Sequence, residues 1–223
     1  MFEREELLIG DLINELKDKS ILIVGVGGVG GYVTESMVRA GIGHLTIVDF
    51  DTIDESNLNR QIIALHSNIG KKKVDAFKER ILDINPNCKV DTFDIFYDEN
   101  NKDIIFNDKI DYVIDCCDSV NSKILLIKEC KKRNIPIISS MGTGNKFHPE
   151  MFKIDRLNKT AYDPLAKKVR FLLKNDKELL DTMVLYSTET PTEYKGKVGS
   201  ISYVPSVAGL LITSYVINQI LDK

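Results

Sequence analysis

Residues 20–60 read SILIVGVGGVGGYVTESMVRAGIGHLTIVDFDTIDESNLNR, and this stretch decides the fold. Ile21 to Val24 form an apolar, β-branched-rich run, as expected of a strand buried on both faces of a parallel sheet. The run enters a turn rich in glycine, in which Gly25, Gly27, Gly28 and Gly30 let backbone approach a phosphate closely. Tyr32 to Ala40 then reads as a helix stopped by Gly41. A second short strand, Leu45 to Val48, ends in Asp49, placed to accept a bond from a ribose hydroxyl. Strand, Gly-x-Gly-x-x-Gly turn, helix, strand and terminal acid, about 20 residues past the last glycine, make the arrangement by which α/β sheets hold a nucleotide.

Outward from this unit the alternation continues. Residues 50–69 are rich in Asp, Asn and Ser and read as a long functional loop with short helical turns. Val74, Phe77, Ile81 and Ile84 recur at helical spacing across 70–84, and Asn85-Pro86-Asn87 ends that helix. A strand is expected at 89–95 and a polar helical segment near 98–107. Asp111 to Asp118 reads as a second buried strand ending in acids, with Cys116 and Cys117 as small buried residues on it. A helix through about 120–133 and a strand at 136–141 come next. The pattern predicts an α/β fold, a Rossmann-like, doubly wound and mainly parallel sheet, with a core at about 18–141. Beyond it, strands at 152–154 and 183–186, a helix at 164–173, a loop at 196–199 and an apolar helix at 204–221 make a mixed C-terminal extension, about 142–223, of the same single domain. Before it, residues 5–17 carry Leu7, Leu8, Leu12, Ile13 and Leu16 at helical spacing, one amphipathic helix packed on the sheet or on a second subunit.

Bulk properties exclude several classes. With 223 residues and a formal net charge of −3, any nucleic-acid contact must come from a local basic patch. No stretch reaches the roughly 20 apolar residues of a membrane span, and the acidic N-terminus lacks the form of a signal peptide, so a cytoplasmic setting is expected. Cys88, Cys116, Cys117 and Cys130 show no paired Cys-x-x-Cys spacing, which points to neither a zinc site nor a disulfide framework. No metal role is expected of His44, before a strand, or of His66, in a loop; His148 is weighed as a solvated loop residue against a place near the substrate entrance.

The identity of the nucleotide turns on the residues beyond Asp49. A nicotinamide enzyme needs the glycine turn and one acid, but has no use for Asp51, Asn57, Arg60, Gln61, Lys73 and a distant Asp118. A nucleoside triphosphate brings about four negative charges, so its site needs cations and a carboxylate for Mg²⁺. Arg60 supplies a planar multi-donor fork, Lys73 a point charge and Asp118 a hard oxygen ligand.

Taken in order, Gly25-x-Gly27-Gly28-x-Gly30, Asp49-x-Asp51, Asn57-x-Asn59-Arg60-Gln61, Gly70-x-x-Lys73 and Asp115-x-x-Asp118 resemble the adenylating enzymes of the ubiquitin-activating superfamily, which includes the bacterial activators of sulfur-carrier proteins. The resemblance implies ATP as cosubstrate, with Asp49 on the ribose, Asn57, Arg60 and Lys73 on the phosphates and Asp118 on Mg²⁺. Asp115 stays open between a ligand and a core acid. Arg4 matches the superfamily's N-terminal arginine, which reaches into a partner subunit's ATP site, and this implies a homodimer.

Within the superfamily, Ser139 to Lys146, Asp163 to Lys167, Tyr186 to Glu189 and Gly199 to Gly209 are similar to the tRNA threonylcarbamoyladenosine dehydratases. That likeness implies a tRNA carrying threonylcarbamoyladenosine as substrate, activation of its carboxylate by ATP, and closure with net loss of water. It also leaves room for partners of the cysteine desulfurase or sulfur-acceptor kind. The alternative is adenylation of the C-terminal Gly-Gly of a small sulfur carrier; against it, the paired Cys-x-x-Cys zinc motifs usual in carrier activators are missing, and no cysteine lies beyond Cys130, where a thioester route would need one. The loop at 190–199 is short for the dehydratases. If tRNA is gripped, the expected phosphate contacts are Lys71-Lys72, Lys128 with Lys131 to Arg133, and Lys167-Lys168 with Arg170 and Lys174.

Overall fold

The computed structural model describes residues 1–106, 109–192, 196 and 198–223. Parts of the segments read at 98–107, 190–199 and 196–199 lie outside these residues.

Seven strands form one sheet: β1 (Ser20–Val24), β2 (His44–Val48), β3 (Lys89–Phe93), β4 (Tyr112–Asp115), β5 (Ile137–Ser140), β6 (Phe152–Arg156) and β7 (Met183–Ser187). Their order is β3-β2-β1-β4-β5-β7-β6, parallel throughout except for the antiparallel β6–β7 pair at the edge. The doubly wound, mainly parallel sheet read from the sequence is therefore present. The helices are α1 (Glu3–Ile9), α2 (Leu12–Lys17), α3 (Gly30–Arg39), α4 (Lys73–Ile84), α5 (Val120–Arg133), α6 (Pro164–Leu173) and α7 (Tyr203–Ile220).

The apolar run of β1 is continuous because each face feeds a different core. Ile21 and Ile23 pack with Val33, Met37, Phe77 and Ile212 on one side. Leu22 and Val24 pack with Val113, Leu125, Leu126 and Cys130 on the other. A strand with one solvated face would alternate instead. A third cluster joins α6, α5 and β7 through Val169, Ile127 and Val184.

Four readings are corrected. The N-terminal helix is two helices, broken at Gly10, whose φ of +60° lies in the left-handed region. Only the second buries side chains, Ile13 and Leu16, while Leu7 and Leu8 are 89% and 85% exposed. The strand read at 111–118 stops at Asp115, so Cys116 and Cys117 belong to the turn after it, half-buried. The strand at 89–95 ends at Phe93. Of the helical segment near 98–107, the described residues form only a 3-10 turn at Ile104–Phe106.

The final helix α7 has 18 residues and is apolar enough to span a bilayer by length and composition. It packs instead along α3: a Cβ added at Gly209 would meet Val29 O at 2.6 Å, and Thr213 Oγ1 lies 2.6 Å from Ser36 Oγ.

Candidate active site

β1 and β4 are neighbours, and the chain leaves their carboxyl ends in opposite directions, the switch point where such sheets bind ligands. Three turns meet there: the glycine turn after β1, the Asp49 loop after β2 and the Cys116–Asp118 turn after β4.

Two of the glycines are dictated by the fold. Gly25 has φ +85°, and a Cβ there would stand 2.8 Å from the Cys116 carbonyl carbon; a Cβ on Gly30 would stand 1.8 Å from Gly25 O. Gly27 is different. Its nearest neighbour would be Gln61 Nε2 at 3.7 Å, so no protein atom forbids a side chain. No side chain caps α3, which leaves its first N–H groups for an anion. Asp49 locks the turn: Oδ2 accepts from Val26 N at 2.8 Å and Oδ1 from Asp51 N at 2.9 Å. Burial pushes its carboxyl above the ordinary value, against the pull of Lys73.

The loop after Asp49 presents the cations. Asp54 and Asn57 form a reciprocal cap, with Asp54 Oδ1 accepting from Ser56 N at 2.8 Å and Asn57 Oδ1 from Asp54 N at 3.1 Å. Asn57, placed on phosphate by the sequence reading, therefore spends its carbonyl on building the turn. Arg60 Nη1 donates to Ser56 O at 2.7 Å and to Asn59 Oδ1 at 2.9 Å. Gln61 is buried with Oε1 unpartnered; rotating that amide by half a turn sets a donor there instead. Lys73, at the start of α4, is buried and reaches Asp51 Oδ2 at 2.6 Å.

The open question of Asp115 is resolved by packing. It is fully buried, accepts from Lys123 Nζ at 2.6 Å and from Ser139 Oγ at 2.5 Å, and takes Cys117 N at 3.1 Å. It is a core acid that shapes the following turn. Asp118, at the end of that turn, is exposed and has no hydrogen-bond or ion-pair partner among the described residues. Cys116 and Cys117 lie at the mouth of the same turn, and burial pushes both thiols well above their ordinary range, so neither is a poised nucleophile.

These groups line one cavity of about 300 Å³: Gly25, Gly27, Gly28, Asp49, Asp51, Asn57, Arg60, Gln61, Lys73 and Asp118 all face it. A second cavity of about 590 Å³ shares Arg60, Asp118, Thr143 and Ser200 with the first. Gly30 lies under the turn and Arg4 on the exposed face of α1; neither lines these two cavities.

The second cavity is supported by residues to which spacing alone assigned no role. Asn59 Nδ2 donates to Ser200 O at 3.0 Å, and Asn145 bridges to Gly199 N through Oδ1 at 2.6 Å. The buried Lys146 donates to Gly142 O at 2.5 Å and to Asp163 Oδ2 at 2.9 Å. Glu189 holds the backbone N–H groups of Phe147 and His148. Its sequence signals were resemblances alone: Asn59 in the superfamily motif, and Asn145, Lys146, Asp163, Glu189 and Ser200 in the dehydratase-like stretches.

A family model described as the ThiF family matches residues 5–223. The chain belongs to the ThiF family. Among its relatives, the tRNA threonylcarbamoyladenosine dehydratase of Bacillus subtilis (strain 168) is 41% identical over 239 residues, spanning 99% of this chain and 94% of that protein. The solved structure of E. coli tRNA N6-threonylcarbamoyladenosine dehydratase in complex with ATP superposes with a TM-score of 0.94 at 34% identity, covering 99% of this chain and 93% of that one. The same enzyme in complex with AMP gives 0.92 at 33% identity, with 97% and 92% covered. The ThiF likeness thus includes the C-terminal extension as well as the nucleotide half.

Proposed function

We propose that this chain is an ATP-dependent tRNA threonylcarbamoyladenosine dehydratase, which activates the carboxylate of the threonylcarbamoyl group on adenosine 37 and closes it into a ring. The full-length likeness to dehydratases supports this reading. One structural observation carries it: the cation-lined cavity at the glycine turn shares Arg60 and Asp118 with a second cavity, so a nucleotide and a carboxylate substrate meet on one wall.

The residues fit a triphosphate. Gly27 leaves room where a Cβ would project, Gln61 holds a buried polar atom without a partner, and Arg60 and Lys73 supply positive charge. Asp118 would hold Mg²⁺, which favours a carboxylate beside phosphate oxygens and its own waters, and which supplies further charge neutralisation when bound. Asp49, with lone pairs left beyond its two backbone bonds, receives a ribose hydroxyl.

The substrate carboxylate attacks the α-phosphorus and pyrophosphate leaves, giving an acyl-adenylate. Both reactants are anionic, so Arg60 and Lys73 act by positioning and neutralisation, and the carboxylate needs no general base. A nucleophile within the threonylcarbamoyl group then attacks the activated carbonyl and loses its proton. AMP departs with the carboxylate oxygen, and the nucleoside is one water lighter.

The reading also includes a cytoplasmic homodimer. Arg4 is exposed outside both of the cavities that share Arg60 and Asp118 and is assigned to the partner's site, and the exposed Leu7 and Leu8 beside it supply apolar surface for that contact. Sulfur-acceptor chemistry on this chain gains no support from its thiols: burial pushes Cys88 up to about 11 and Cys116, Cys117 and Cys130 higher.

The test is AMP release from ATP and Mg²⁺ with tRNA carrying or lacking threonylcarbamoyladenosine, followed by mass analysis of the nucleoside. Release that needs the modified tRNA, yields loss of one water and falls about a hundredfold or more in Arg60→Ala is expected. No turnover with that tRNA, but pyrophosphate exchange with a Gly-Gly-tailed carrier, would overturn it.

A further inference from the structure

The basic clusters singled out in the sequence differ in one respect that only the structure shows. Lys71 pairs with Glu79 at 3.1 Å, Lys72 with Asp94 at 3.2 Å and Lys131 with Glu178 at 3.0 Å; Arg133 pairs with Asp103 and Glu129. Those cations are already answered by carboxylates, while Lys128 and Lys132 of the same clusters stand without an ion-pair partner among the described residues and with no exposed aromatic stacked on them. On α6 and at its C-cap, Lys167, Lys168 and Lys174 have no ion-pair partner among the described residues, and α6 itself contains no Asp or Glu. At helical spacing, Lys167 and Lys174 flank one side of Phe171 and Lys168 the other. Phe171 is 65% exposed with Lys174 Nζ 4.6 Å from its ring centroid.

A second aromatic stands at the head of this stripe. Tyr162 is 69% exposed and adopts φ +64°, a left-handed conformation that costs energy for a residue with a side chain. An exposed ring at the head of the helix that carries the lysines is open to a stacking contact.

The stripe is anchored to the reaction chamber. Asp163, between Tyr162 and α6, caps the helix by accepting from Ala166 N at 3.0 Å and also accepts from Lys146 Nζ, which in turn holds Gly142 O. The next residue, Thr143, lines both cavities.

We propose that the outer face of α6, with Tyr162 at its head, grips RNA beside the reacting nucleotide. Lys167, Lys168 and Lys174 take backbone phosphates, and Tyr162 and Phe171 stack on bases splayed from a single-stranded loop. The inference rests on the dehydratase reading and adds the surface that holds its substrate. A lipid surface is the poorer fit, since the apolar side of α6 (Ala166, Val169, Leu173) is already buried in the protein, leaving Phe171 and Leu172 as its exposed large apolar side chains.

Fluorescence anisotropy of the full chain with an RNA stem-loop carrying threonylcarbamoyladenosine, across a salt series, tests this directly. For Lys167→Gln/Lys168→Gln/Lys174→Gln the slope of log affinity against log salt should flatten by about 0.7–0.9 for each phosphate no longer neutralised. Tyr162→Gly, which relieves the left-handed strain, should weaken binding about tenfold with little change in slope. ATP affinity, measured separately, reports that each variant is folded. Unchanged RNA affinity and slope in both variants overturn the inference. So does wild-type binding to phosphatidylserine vesicles that the lysine variant loses while its RNA binding stays intact. If wild type turns over modified tRNA and the variants bind it normally, this surface alone is wrong; if wild type neither binds nor turns over that RNA, the dehydratase reading fails first.

Discussion

Lys73 Nζ lies 2.6 Å from Asp51 Oδ2 and 4.0 Å from Asp49 Oδ1, so the cation assigned to the phosphates is stored against two carboxylates. Its side chain is only 4% exposed. Lys73→Met removes the positive charge from both acids and from the ligand at once. The expected result is a fall in kcat/KM for ATP of about a hundredfold or more. Lys73→Arg should not restore it, because a buried slot shaped for an ammonium has no room for a planar fork. Steady-state kinetics at varied ATP decide this, and an unchanged kcat/KM in Lys73→Met would remove Lys73 from the phosphate set.

The glycines of the turn separate packing from ligand binding. Gly30→Ala drives a Cβ to 1.8 Å from Gly25 O and should yield little folded protein. Gly27→Ala meets nothing nearer than 3.7 Å and should unfold at the wild-type temperature. It should nonetheless bind ATP at least about tenfold more weakly, since the methyl occupies space that a phosphate needs. Thermal unfolding beside ATP titration checks both, and wild-type ATP affinity in Gly27→Ala would show that no phosphate comes that close.

Lys123 and Asp115 are both fully buried, bridging α5 to the carboxyl ends of β4 and β5. Lys123→Met strands a carboxylate in the core, a loss of about 3–5 kcal/mol. At this chain length that lowers the melting temperature by about 10 °C. Lys123→Met/Asp115→Asn should recover much of the loss, because the uncompensated charge is gone. A double variant no more stable than the single would show that the pair matters through packing.

Acid should weaken the contact between α3 and α4. Burial alone would raise the Glu35 carboxyl, but Arg80 Nε at 2.6 Å and Arg39 Nε at 2.8 Å outweigh it and hold the group below its ordinary 4.5. A carboxyl depressed in the folded state stabilises above its unfolded pKa, and that contribution is lost as pH falls through the folded value. Melting temperature should therefore drop on acidification below about pH 4.5, and the drop should be shallower in Glu35→Gln. At pH 7 the variant should melt a few degrees lower, from loss of a charged hydrogen-bond pair. Parallel profiles for the two proteins would place the acid sensitivity elsewhere.

The nucleotide half was legible because its signals are local. Ile21 to Val24, the glycine turn and Asp49 sit within one supersecondary unit, and each obeys a rule of neighbouring residues. Arg60, Lys73 and Asp118 came from spacing matched to the charge of a triphosphate, and the fold does set them around one cavity. The second cavity was not legible by such rules. Its walls come from Asn59, Thr143 and Ser200, and its supports from Lys146, Asp163 and Glu189, polar residues that look like ordinary surface until tertiary contacts bury them. Asp115 and Asp118 show the same limit, since identical side chains three positions apart become a core acid and a free carboxylate only through the end point of β4. The break at Gly10 was missed because leucine spacing continues across it.

The packing of α7 on α3 has a consequence for how the chain is made. Pro205 lies 3.3 Å from where a Gly28 Cβ would be, and Gly209 rests on Val29, so the phosphate turn is braced by a helix from the other end of the sequence. During synthesis the glycine turn leaves the ribosome long before its brace does, with the rest of the sheet made between them. Contacts of such long sequence separation form slowly. The nascent chain therefore carries an unbraced nucleotide turn until α7 has emerged and packed on α3.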